Sequence, residues 1–141
     1  MKEITGNIWD YYDKGNWIVL TTNGTVRKDG ACVMGRGVAL QAKQRFPNLP
    51  FMLGSFISIT GNKSYWFRSY RIITFPVKHN WWEKAILGLI ENSCNLLVKD
   101  FPANFPIYMV RPGCGNGGLE WKDVKPVLEK YLDDRFIVVQ K

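Results

Sequence analysis

The sequence predicts an α/β domain of three layers, with a mixed, mainly parallel sheet between helical layers, and places residues 1–141 in that single domain. Three observations carry this. Short apolar runs alternate with helix-period patterns along the chain, the order expected of successive strand–helix units. Twice a glycine-rich stretch falls between an apolar run and a helical pattern: Gly35-Arg36-Gly37, and Arg111-Pro112-Gly113-Cys114-Gly115-Asn116-Gly117-Gly118-Leu119. No linker, repeat or low-complexity segment divides the chain.

Element by element, Ile4 to Tyr12 starts in a β-like way and is interrupted at Gly6-Asn7. Trp17–Thr22 is a continuous apolar strand suited to a sheet interior, stopped by the turn signal Asn23-Gly24. A polar loop runs from Thr25 to about Gly35. From Gly37 the pattern is helical, with Val38, Ala39, Ala42 and Phe46 on one face and Pro47 as terminator. Phe56–Thr60 and Tyr65–Arg68 flank Gly61-Asn62-Lys63 and predict a β-hairpin. Arg71–Phe75 is a strand stopped by Pro76. Asn80 and Glu83 have capping-box spacing, so a helix is expected from Trp81 to about Lys99, burying Trp82, Ile86, Leu89, Ile90, Ser93 and Leu97. Phe105–Val110 is a buried strand. A helix from about Lys122 would bury Val124, Val127, Leu128, Tyr131 and Leu132, with Pro126 in its first turn. Arg135–Val139 closes the chain as a strand.

The totals bound the class. With 46% hydrophobic and 22% charged residues the chain is an ordinary globule large enough for a core. Nineteen Lys and Arg against twelve Asp and Glu give a net charge of +7, which suits anionic partners. No apolar stretch near Met1 or elsewhere resembles a signal core or a membrane span, so a cytoplasmic location without a membrane partner is expected; a monomer is expected as well. Cys32, Cys94 and Cys114 are odd in number and widely spaced, which gives neither a disulfide framework nor a zinc pattern. No metal and no cofactor are expected.

The two glycine loops carry the first functional reading. Glycines let backbone N–H groups approach a phosphate, and a helix N-terminus adds its field; the alternative is a loop that only makes a turn. Open α/β sheets bind ligands beyond the carboxyl ends of their strands, where both loops fall. Lys78 follows Phe75-Pro76-Val77 at that same edge. An amine there is suited to act on a sugar carbon or a carbonyl, although most lysines are simply solvated. His79 is the single histidine, so Cys114–His79 is the one nucleophile–base pair at this edge; helix capping is its other role. Trp66, Phe67, Trp81 and Trp82 beside Arg68, Arg71 and Lys78 mix aromatics with cations, as single-strand binding surfaces do, or else face the core.

Taken together, these motifs resemble the macrodomain family, the ADP-ribose-binding α/β/α fold, across nearly the whole chain. Thr5-Gly6-Asn7-Ile8 is similar to the family's Gly-Asp-Ile start. Asn23 and Met34–Lys43 resemble its first ligand loop and helix, Phe75–Trp81 its Phe-Pro-Thr-Lys-x-x-Trp segment, and Pro112–Trp121 its diphosphate loop. The Met-Gly-x-Gly-x-Ala loop and the lysine segment are features of the branch containing the terminal ADP-ribose protein glycohydrolase and the DarG antitoxin, which acts on ADP-ribosylated thymidine in DNA. The resemblance implies an ADP-ribosyl glycohydrolase with Lys78 catalytic. It implies that ADP-ribose is held by Asn7, Ile8, Asn23, Gly35, Gly37, Val38, Ala39, Pro112, Gly113, Cys114, Gly115, Asn116, Gly117, Gly118 and Leu119, with Trp81 touching the substrate. ADP-ribosylated thymidine in single-stranded DNA is the favoured substrate and ADP-ribosylated glutamate the second, with an ADP-ribosyltransferase as partner in trans. The alternatives are a binding module without turnover and a phosphatase acting on ADP-ribose 1″-phosphate. Asn7 stands in place of the usual Asp. Gly117 stands where the protein glycohydrolase has its catalytic Asp, which is closer to the DarG type.

Overall fold

The apolar runs pair into one sheet of six strands: β1 (Lys2–Thr5), β2 (Trp17–Thr22), β3 (Trp66–Phe67), β4 (Ile72–Pro76), β5 (Ile107–Met109) and β6 (Phe136–Gln140). The structure, a computed structural model, describes residues 1–101 and 104–141. Spatial order is β1-β6-β5-β2-β4-β3. Every pairing is parallel except β3 with β4, so the sheet is mixed and mainly parallel as expected. Ile18, Val19 and Leu20 are fully buried in β2, which has β5 on one side and β4 on the other.

Five helices cover the two faces: α1 (Ile8–Asp13), α2 (Gly37–Arg45), α3 (Leu49–Thr60), α4 (Leu87–Asp100) and α5 (Trp121–Tyr131). Period-two alternation sorts the strand residues between two cores. Ile18, Leu20 and Ile72 pack with α1, α2 and α3, while Val19, Ile73, Phe75, Met109 and Val138 pack with α4 and α5. Among the described residues, no helix is long and apolar enough to cross a membrane.

Four expectations are corrected. The strand expected over Phe56–Thr60 is the second half of α3, so there is no hairpin. Leu49, Leu53 and Ile57 are buried at a spacing of four, Pro50 sits in the first turn, and Gly61 at φ 105° ends the helix rather than making a hairpin turn. The β-branched residues that suggested a strand lie partly on the outer face, where Ile59 is 82% exposed. The β-like start at Ile4–Tyr12 divides into β1 and α1, because Asn7 caps a helix: its Oδ1 accepts from the Trp9 N–H at 3.0 Å.

The helix expected from Trp81 starts only at Leu87. Glu83 does reach back to the Asn80 N–H at 2.7 Å, but Ala85 and Ile86 then donate to Gly117 and Val77 instead of to their own turn. Trp82 and Ile86 are therefore exposed. Finally, Pro126 lies inside α5, beyond its first turn, so one i→i−4 bond is missing there. Val124 and Leu128, fully buried on either side, hold the helix to the sheet regardless.

Candidate functional site

Because β1, β6, β5, β2 and β4 all run the same way, their carboxyl ends share one edge. A cleft of about 1170 Å³ opens there, and its wall contains both glycine loops, Asn7, Asn23 and Lys78. This is the position open α/β sheets reserve for ligands.

The first loop ends at the start of α2. Arg36 is extended and provides no side-chain cap, and Gly37 is at φ 57°. The first N–H groups of α2 therefore lack intrahelical partners on the cleft wall. Asn23 braces the base of this loop. It is buried, its Nδ2 donates to the Val33 carbonyl at 2.9 Å, and its Oδ1 accepts from the Thr25 N–H at 2.9 Å.

The second loop turns at Gly113, Gly115 and Gly118, with φ of 76°, 69° and 78°. Only glycine adopts such angles freely. A single tight helical turn covers Gly115–Gly117, and Gly117 accepts from the Ala85 N–H at 2.8 Å. The two loops approach each other: the Asn116 Nδ2 lies 3.6 Å from where a Cβ at Gly37 would stand.

Lys78 leaves the end of β4 through Val77. Its Nζ donates to the carbonyls of Trp81 and Glu83, each at 3.1 Å, so two of its three donors are in use and one remains. The Trp81 N–H donates to Thr25 Oγ1 at 3.0 Å, which ties the lysine turn to the loop after β2. Trp81 and Trp82 stand edge to face at the cleft mouth, 5.9 Å apart, 49% and 65% exposed.

No protein-family model matches the chain. A curated relative from Thermosipho africanus, a DNA ADP-ribosyl transferase–DNA ADP-ribosyl glycohydrolase fusion protein, is 27% identical over 82% of this chain. The chain spans between 30% and 37% of the length of the curated relatives it matches. The macrodomain of Thermus aquaticus DarG superposes with a TM-score of 0.80 at 25% identity, covering 99% of this chain and 97% of that one. Thermosipho africanus DarTG in complex with ADP-ribose gives a TM-score of 0.80 at 20% identity, over 97% of this chain and 40% of that one. The chain has the macrodomain fold and resembles the DarG macrodomains.

The macrodomain gathers most of the expected residues at its cleft, but not all. Asn7, Ile8, Asn23, Gly35, Gly37, Val38, Ala39, Lys78, Trp81, Gly113, Cys114, Gly115, Asn116 and Gly117 line it. Pro112, Gly118 and Leu119 stand off the wall: Pro112 is buried, Leu119 packs on the core, and Gly118 faces Lys84. Asn7 lines the cleft with one side-chain oxygen committed to its own helix cap.

The Cys114–His79 pair is not assembled in this macrodomain. His79 lies off the wall with its Nδ1 3.1 Å from the Asn62 Nδ2. Burial pushes the Cys114 thiol up, only partly offset by Arg111, which is the wrong direction for a nucleophile. The expected aromatic–cation surface also divides. Trp66 packs on Phe101, Phe67 is buried, and Arg71 lies over Tyr12 while donating to the carbonyls of Tyr12 and Asn16. Only Trp81, Trp82 and Lys78 of that set reach the cleft.

Sequence reasoning missed Arg27, Arg36, Arg111, Gln41, Glu83 and Gln140 on the wall. Arg36 was available as the residue between the two glycines of the first loop. Arg27 and Arg111 carried a weaker signal, as cations just beyond the ends of buried strands. Gln41 and Gln140 had none. Among the described residues, no three His, Cys, Asp or Glu side chains are grouped to hold a metal ion.

Proposed function

We propose that this macrodomain binds ADP-ribose in the cleft and hydrolyses the bond joining it to a modified substrate. That substrate is thymidine in single-stranded DNA by preference, with the carboxylate of glutamate second. The observation that carries this is one cleft whose wall combines two glycine cradles with an amine. Its volume of about 1170 Å³ exceeds the roughly 300–1,000 Å³ of ordinary ligand pockets.

The diphosphate lies along 113–117 and the first N–H groups of α2, where backbone donors and the helix field attract it. Asn23 and Gly35–Ala39 hold the distal ribose. Lys78 acts at its anomeric carbon. With two carbonyls already accepting from Nζ, the remaining N–H stabilises charge on the departing atom; nucleophilic attack by Lys78 is the other way it can act. Trp81 at the mouth contacts the group that leaves. The net charge of +7 and the exposed indole pair favour a nucleic-acid substrate. The glycohydrolase activity of the Thermosipho relative on DNA supports a DNA substrate, the DarTG complex supports the ligand, and the fusion supports an ADP-ribosyltransferase as partner. Gly117, which presents no acid to the cleft, favours a second reading, a binding module without turnover.

Release of ADP-ribose from modified thymidine and from modified glutamate tests these readings side by side. Faster release from thymidine is expected. Equal or reversed rates overturn the DNA preference, and tight ADP-ribose binding with no release from either selects the binding module.

A further inference from the structure

We infer that Glu83 is the second catalytic group of the cleft, the base that takes a proton from the water attacking the anomeric carbon. This rests on the hydrolase reading above. Among the described residues that line the cleft, Glu83 is the only Asp or Glu, and the other charged residues are Arg27, Arg36, Lys78, Arg111 and Lys141. Addition of water to a sugar carbon is assisted by a carboxylate in most enzymes that cleave glycosidic bonds.

Its placement is fixed from several sides. The Glu83 carbonyl accepts from Lys78 Nζ at 3.1 Å, so both residues belong to one rim of the cleft. One carboxylate oxygen accepts from the Asn80 N–H at 2.7 Å, and the other has no protein partner among the described residues, which leaves it for water. The turn itself is docked on the second glycine loop through Ala85 N–H to Gly117 O at 2.8 Å. At that contact a Cβ on Gly117 would stand 2.9 Å from the Ala85 Cβ, closer than two such atoms approach. A side chain at position 117 would have to displace this turn, and the turn carries the carboxylate.

The step balances without a co-reactant. Oxygen of the water bonds to the anomeric carbon as the bond to the leaving atom breaks. The electron pair of that bond departs with the base or carboxylate, steadied by Lys78. The water proton passes to Glu83 and from there to the departing group or solvent.

Glu83→Gln separates this role from a structural one, because glutamine keeps an oxygen for the Asn80 N–H. With a substrate the parent turns over, Glu83→Gln and Glu83→Ala should each lower kcat by about 100-fold, the low end for general base catalysis, with KM and ADP-ribose affinity unchanged. Formate should restore part of the rate to Glu83→Ala. Glu83→Gln at the parental rate overturns the assignment and leaves the hydrolase reading intact. Loss of ADP-ribose affinity in Glu83→Gln also overturns it, by showing that the carboxylate only shapes the site. A parent that releases ADP-ribose from no linkage overturns the hydrolase reading itself.

Discussion

At Gly113 an added Cβ would lie 2.7 Å from Ile90 and 3.0 Å from Leu119, in a backbone at φ 76°; at Gly35 it would meet nothing within 4 Å, and the backbone is ordinary. The two loops face each other across one cleft, yet the fold requires glycine in only one of them at these positions. Loop 113–118 is pressed against α4 and the Lys78 turn, and its glycines are what let it fit. At Gly35, which lines the cleft, the protein imposes no such demand.

The comparison breaks most readily at Gly113. Gly113→Ala should lower stability by about 3 kcal/mol, from left-handed strain plus overpacking against Ile90, read as a lower midpoint in chemical denaturation. An unmoved midpoint would remove the distinction between the loops. Gly117→Ala, whose backbone is unstrained, should cost less, about 1–2 kcal/mol of overpacking against Ala85. Hydrogen exchange should show the 77–86 turn opening first in that variant; uniform protection would contradict the docking described.

The sequence made legible what was uniform along the chain. Trp17–Thr22 opens with four apolar residues, ends in two threonines and is β2, residue for residue. The second glycine loop was legible because φ values near +70° at Gly113, Gly115 and Gly118 leave glycine as the easy choice. Phe56–Thr60 was misread because Ile57, Ile59 and Thr60 are β-branched, while the four-residue spacing of Leu49, Leu53 and Ile57 decides the outcome. The start of α4 was misread because a local capping signal at Asn80 and Glu83 is real but is outcompeted by carbonyls of Val77 and Gly117, one of them distant in sequence. Arg27, Arg111 and Gln140 reach the cleft through topology alone, which brings the ends of separate strands to one edge.

Smaller effects sharpen the loop comparison. Gly35→Val should leave stability within about 0.5 kcal/mol, as open surface substitutions do, but weaken ADP-ribose affinity about tenfold by calorimetry. Unchanged affinity would mean that Gly35 is incidental. Cysteine chemistry offers the least perturbing probe. Burial pushes Cys32 and Cys94 up to about 12, so both stay protonated, and unreactive to iodoacetamide, in the folded protein at pH 8. Cys114, half-buried in the second loop, should label slowly and be protected by ADP-ribose. Labelling that ignores the ligand would place the diphosphate elsewhere.

The division of labour between a cradle that holds and an amine that acts is tested most directly by Lys78→Ala. Single-turnover release of ADP-ribose from a modified thymidine oligonucleotide should slow by about 100-fold or more, as expected when a charge-stabilising donor is removed, while ADP-ribose affinity stays at the parental value. Release at the parental rate would contradict the account, because the cleft would then be cutting the bond without the residue assigned to act on it.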